Sequence, residues 1–224
     1  MPDYFSHGVC AEIIYEKLQS KYKNKIKNKT LYLLGAQGGD VFFAYNIKPT
    51  KSNLGRSMHR MDAQTLFEKL VSGNPSYVAG FATHYALDCT LHPKIYAYEH
   101  SHRSPFAHIK FENDLGLYIS KKFKMRRTII PREKLLACTG AVYDTVKKVE
   151  PLITVTGVER CLKRHFTYSK FLYRFKRQNY KCVYNFSTAS DDIDKSIELG
   201  ITAVKSVLDG EAPREIFNKK FLQN

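Results

Sequence analysis

Apolar positions along this chain recur at helical spacing and hardly ever alternate. Val9, Ile13, Leu18 and Tyr22 repeat near every 3.6 residues with lysines on the other face, which predicts a helix over 9–27. The apolar run 31–36 leads into Gly35-Ala-Gln-Gly-Gly-Asp40, where glycines permit tight turns and predict a loop. The polar stretch 48–60 predicts an exposed loop, and Asp62 opens a helix through about Val71. Ser72-Gly73-Asn74-Pro75 breaks the pattern before a long apolar helix over 76–91. Pro93 disfavours helical geometry at the residue before it, which places His92 at that helix's end. A polar loop at 99–104 and a helix over 105–122 follow. Pro131, Pro151 and the serines at 187–190 divide the remainder into three or four helices. With no strand alternation, internal repeat or low-complexity linker, the pattern predicts one all-α, multi-helix domain over 1–224.

Length and composition agree with that expectation. A chain of 224 residues suits one large domain, and 43% hydrophobic with 25% charged residues is an ordinary globular balance. The charge is less ordinary. Thirty-six Lys and Arg against 21 Asp and Glu give a net +15, with the excess concentrated in the basic half 116–224. Such a field favours anionic ligands, membranes or nucleic acid. The start Met-Pro-Asp-Tyr-Phe-Ser-His is not a signal peptide, and no run of about 18 apolar residues exists. The expectation is a cytoplasmic protein if no leader has been trimmed. Five scattered cysteines without a CxxC pair read as reduced, mostly buried thiols.

Seven of the eight histidines lie in the first half, and their spacing carries the chemistry. His84 and Asp88 are four apart in a helical stretch, so both face one way. His108 and Glu112 repeat that geometry in the next helix, and His92 ends the first. Two adjacent helices can thus aim three imidazoles and two carboxylates at one centre, the donor set of a metal cluster. One His-x-x-x-Asp pair is usually a surface or structural pair. Two such pairs on otherwise apolar helices are costly to bury without a partner, and a metal is an economical one.

The run Gly80-Phe-Ala-Thr-His84-Tyr-Ala-Leu-Asp88-Cys-Thr-Leu-His92-Pro, followed by His108-Ile-Lys-Phe-Glu112-Asn, resembles the core of the zinc-dependent phospholipase C family. That family shares a helical fold with single-strand-specific nucleases. Ser6-His7 matches the family's upstream Ser-His, Gly35–Asp40 resembles its loop carrying a ligand aspartate, and His59 matches the histidine after that loop. The resemblance covers about residues 1–120 and implies two to three zinc ions within 1–115. His59, His84 and Asp40 would bind one; Asp88 would bridge it to a second, also held by His7; His92, His108 and Glu112 would bind the remaining ion. Bridged zincs lower the pKa of a bound water towards about 7 and so provide hydroxide for attack on a phosphodiester. Asp40 would orient that water or take its proton. One departure stands out. Secreted members supply a processed N-terminal Trp to the zinc shared with His7, and this chain has no Trp. Either that site is weaker, water-completed or empty, or a free N-terminus at Met1 or Pro2 reaches it.

Around this set, His100, His102 and Arg103 could line the mouth of the site, although loop residues of these types are commonly plain polar surface. Phe42, with Phe43 and Tyr45, suits either an acyl or base pocket or core packing. Asp62 suits a helix N-cap better than a ligand. The segment 160–181 has eight Lys and Arg, no acid and six aromatics. It suits an anionic membrane surface, single-stranded nucleic acid, or simply a solvated basic helix face. Three functions are therefore expected candidates: a phospholipase C-like phosphodiesterase, a nuclease or nucleotidase of the same superfamily, and a non-catalytic metal-containing binding module.

Overall fold

The computed structural model of the chain describes residues 4–47, 52–102, 107–126, 128–175, 190–219 and 221. Eleven α-helices are seen among them: α1 Tyr4–Lys17, α2 Ser20–Lys23, α3 Lys29–Gly35, α4 Leu54–Arg60, α5 Ala63–Leu70, α6 Pro75–His102, α7 Ala107–Lys122, α8 Arg132–Ala137, α9 Thr139–Val146, α10 Val155–Phe175 and α11 Ser190–Leu208. A 3-10 helix spans Gly38–Ala44. The sheet content among the described residues is one two-residue antiparallel pair, Asn46–Ile47 with Ser52–Asn53. The fold is all-α, and no helix among the described residues is long and apolar enough to cross a membrane.

α6 is the axis of the molecule. It packs against α11, α3, α7 and α1, so its apolar residues from Tyr77 to Leu91 are covered on every side. Tyr77, Phe81 and Tyr85 along it are fully buried; Tyr77 packs on Phe81, Phe81 on Phe67 of α5, and Tyr85 on Phe217 and Phe221 near the C-terminus. Small residues make the approach of α3 possible. A Cβ on Gly80 would lie 1.9 Å from the carbonyl oxygen of Tyr32, so the two backbones touch at that point.

Four sequence expectations change. The predicted helix 9–27 divides into α1 and α2, because Leu18 and Gln19 turn the chain between them. The glycine-rich loop before Asp40 is a turn entering the 3-10 helix, with Gly38 at φ +50°. The stretch 48–60 is not an exposed loop throughout. Its second half is α4, capped by the Asn53 side chain accepting from the Arg56 N–H, and Leu54, Gly55, Met58 and His59 are buried. Finally, α6 does not stop at His92; it runs on to His102 with Pro93 inside it. A proline there removes one backbone hydrogen bond at a local cost of about 3 kcal/mol. Burial of Leu91 and Ile95 on either side offsets that cost. The Asp62 N-cap of α5 is present as expected, its carboxylate accepting from the Thr65 N–H.

Candidate metal centre

The centre is built where five pieces of chain meet. α1 contributes His7, the 3-10 helix Asp40, α4 His59, and α6 His84, Asp88 and His92. Within α6 these three fall at i, i+4 and i+8, one stripe on one face. α7 returns antiparallel to the end of α6 and adds His108 and Glu112 at the same i, i+4 spacing. All but His108 are buried, and His108 is partly covered.

Asp88 is the hub. Its carboxylate oxygens lie 3.3 Å from His7 Nε2, 3.5 Å from His59 Nε2, 3.2 Å from His84 Nε2 and 3.5 Å from His92 Nδ1. His59 Nε2 also lies 3.2 Å from Asp40 Oδ1 and 3.2 Å from His84 Nε2. On the far side, His108 Nε2 is 2.6 Å from Glu112 Oε1. Three groups have donor atoms mutually within 4.8 Å: His7, Asp40 and His84; His59, His84 and Asp88; His92, His108 and Glu112. The last is the trio the resemblance assigns to one ion.

Whether such a set suits zinc is answered by its unsatisfied atoms. Both oxygens of Asp88, both ring nitrogens of His7, Nδ1 of His84 and Oδ1 of Asp40 are buried without a directed hydrogen bond among the described residues. Buried polar atoms are costly in that state. Their separations explain the arrangement. Two ligand atoms on one tetrahedral zinc at about 2.0–2.1 Å are about 3.3 Å apart. The 3.2–3.5 Å spacings around Asp88 match that value, with the donors converging instead of pairing. The residues fit zinc.

The rings are also oriented from behind. His59 Nδ1 meets the Gly55 carbonyl at 2.7 Å, which leaves Nε2 for the cluster. His108 Nδ1 lies 3.0 Å from Glu99 Oε2, a carboxylate that fixes the imidazole with Nε2 towards Glu112. Phe221 packs against His59 and His84 at ring separations of 5.7 and 6.0 Å and keeps water from that side.

Electrostatics express the same demand for cations. Burial drives the His84 imidazole down to about 3, so its ring is neutral at pH 7, the form that can bind a metal. Burial pushes Asp88 up, yet the surrounding histidines overcome it and hold the carboxyl well below its ordinary range. His59 is pushed down by burial but carried well above its ordinary value by the adjoining Asp40 and Asp88 carboxylates. Without a metal, therefore, His59 keeps a proton between two carboxylates. Metal binding would displace that proton.

The family model for zinc dependent phospholipase C matches residues 6–168. The chain belongs to the zinc-dependent phospholipase C family. No curated protein and no solved structure matches it. The match to the phospholipase C family spans all eight clustered residues and continues through most of α10, beyond the region of about 1–120 carried by the sequence motifs.

The remaining expected site residues are placed less directly. Phe42 is fully buried in the core; its neighbour Phe43 instead faces a cavity at Asp40. His100 lies exposed on the last turns of α6, so the expected loop at 99–104 is helical as far as His102. The His102 side chain and Arg103 lie outside the described residues, as do Met1 and Pro2 and hence the reach of the N-terminus to His7. Two residues near the centre gave no sequence signal: Glu99, nine positions from its partner, and His165 of α10.

Proposed function

We propose that this chain is a zinc-dependent phosphoric ester hydrolase that cleaves a phosphodiester in the manner of a phospholipase C. The observation that carries the reading is Asp88 held among four imidazole nitrogens, with Asp40 at the edge of the same cluster and also lining a cavity of about 290 Å³. The family membership supports zinc as the metal and a phospholipid as the substrate class.

Bound zinc would supply Lewis acidity to the phosphoryl oxygens and a water with a pKa near about 7. His7, Asp40, His59, His84 and Asp88 would hold two of the ions. His92, His108 and Glu112 would hold a third, with Glu99 fixing the His108 ring. Asp40 faces the cavity, so its carboxylate can align the attacking water and accept its proton at a carboxylate oxygen. Phe43 at the cavity and Phe221 behind the imidazoles keep bulk water from the reacting centre.

A second reading, a single-strand nuclease or nucleotidase, draws on α10. Tyr168, Phe171 and Tyr173 are exposed there among Lys163, Arg164 and Lys170, a surface on which bases can stack. Parallel assays of zinc-loaded protein on phosphatidylcholine and phosphatidylglycerol vesicles, single-stranded DNA and a chromogenic phosphodiester, each with and without chelator, separate the readings. Chelator-sensitive release of diacylglycerol is expected. Turnover of DNA alone would favour the nuclease, and no chelator-sensitive turnover on any substrate would leave a metal-containing binding module.

A further inference from the structure

One face of α10 borders the way into the centre. Residues 163, 164, 167, 168 and 171 follow helical spacing, and their side chains line two cavities. The inner cavity, about 290 Å³, is walled by Asp40, Phe43, Arg164, His165 and Tyr168. The outer, about 440 Å³ and open, adds Lys163, Thr167 and Phe171. Arg164 and Tyr168 belong to both, so whatever extends from the cluster along this face passes the Arg164 guanidinium.

Away from the cluster, the charge lining that passage is positive. Among the described lining residues of the inner cavity the charged groups are Asp40 and Arg164, and Asp40 is committed to the cluster. Lys163, the further cation of the outer cavity, pairs with Glu159. Arg164 donates to the Ala44 carbonyl at 3.5 Å, which tethers it across the inner cavity's rim and leaves its charge uncompensated by any carboxylate among the described residues. His165 is more than nine-tenths buried on the inner wall, and its Nε2 has no hydrogen-bond partner among the described residues. A buried imidazole nitrogen in that state needs a polar group from elsewhere. Phe43 and Tyr168 could in principle hold a quaternary ammonium against their faces, but Arg164 beside them repels a cation.

We propose that this cavity receives the phosphodiester's head group and selects head groups without a positive charge, Arg164 rejecting cations and His165 hydrogen-bonding a hydroxyl. The inference rests on the phosphoesterase reading for the position of the reacting phosphoryl group. It makes Arg164 a specificity-determining residue, while the eight clustered residues stay untouched.

The test uses two measurements. Short-chain phosphatidylglycerol and phosphatidylcholine, kept below their micellar concentrations so that no charged surface contributes, are compared by kcat/KM. Glycerol phosphate and phosphocholine are compared by calorimetric binding to the zinc-loaded protein. Both pairs should favour the uncharged head group by about tenfold, the effect of one like charge a few ångströms away. Arg164→Gln should bring both ratios near one with zinc content unchanged, and Arg164→Glu should invert them. A preference for the choline compounds, or ratios unmoved in Arg164→Gln, overturns the inference. Loss of turnover with the binding preference intact would instead sink the phosphoesterase reading and leave the head-group site standing.

Discussion

Gly38 and the ring of His84 share one space: a Cβ at position 38 would lie 2.0 Å from His84 Cδ2, and the Gly38 backbone sits at φ +50°. The turn before Asp40 is therefore fitted directly against an imidazole of the candidate metal centre. Any side chain at position 38 must displace that ring or unwind the turn.

Gly38→Ala should accordingly lose zinc as well as stability. The left-handed backbone costs a non-glycine residue about 1–2 kcal/mol, and the collision adds about 1–3 kcal/mol. Gly210 provides the control. It has φ +86° but nothing within 4 Å of an added Cβ, so Gly210→Ala should show the backbone cost alone and keep full zinc content. Urea unfolding with elemental analysis of both variants decides the matter. Equal zinc in the two would mean that the His84 position is not set by Gly38.

Asp88→Asn tests the hub. The substitution keeps the volume but leaves one oxygen where two now face His7, His59, His84 and His92. An amide offers one ligand oxygen in place of two and lacks the carboxylate's charge, so the variant would hold zinc less well. Zinc content should drop by at least one ion per chain and phosphodiesterase activity by at least about 100-fold, more than the loss of an outer hydrogen bond to a metal ligand costs. Full activity with full zinc would refute the place of Asp88 at the centre of the metal site.

Metal removal should also be felt by the whole fold. The cluster joins α1, α4, α6 and α7 and leaves buried polar atoms unsatisfied without cations. Zinc at 100 times its dissociation constant stabilises by about 2.7 kcal/mol, which for a chain of this size raises the melting temperature by roughly 5–10 °C. Calorimetry with and without a chelator measures it. An unchanged Tm would argue that the eight residues hold no ion.

Much of this centre was legible in the sequence because its core is local. His84, Asp88 and His92 lie on one helix, and the pair His108 and Glu112 on the next, so spacing alone put them on shared faces. His7, Asp40 and His59 come from elsewhere in the chain, and family motifs alone linked them. α4 was hidden because seven residues are too few to establish a period, although Asn53 three residues before Arg56 was a readable cap. Pro93 misled because local backbone preference says nothing of the burial that α7 and α11 provide. Glu99 and His165 left no mark, since each matters only through a neighbour that the tertiary fold supplies.

His165 should make the metal-free protein sensitive to acid in a definite window. Burial lowers its pKa from the ordinary 6.5 to about 4 in the folded chain. Below pH 6.5 the unfolded chain takes up a proton that the folded chain refuses, so stability falls as pH drops from about 6.5 to 4 and levels off below that. By pH 4.5 the loss from this one residue is roughly 2–3 kcal/mol. His165→Phe removes the titration and keeps a ring to pack against Tyr4, which lies 5.1 Å away. Urea midpoints of the zinc-free proteins at pH 7.0, 5.5 and 4.5 should therefore converge, the variant losing less stability than the wild type at each step down. Parallel decline of the two would show that His165 is protonated as readily in the folded chain as in the unfolded one, and that its place on the inner wall of the cavity is not shielded from water.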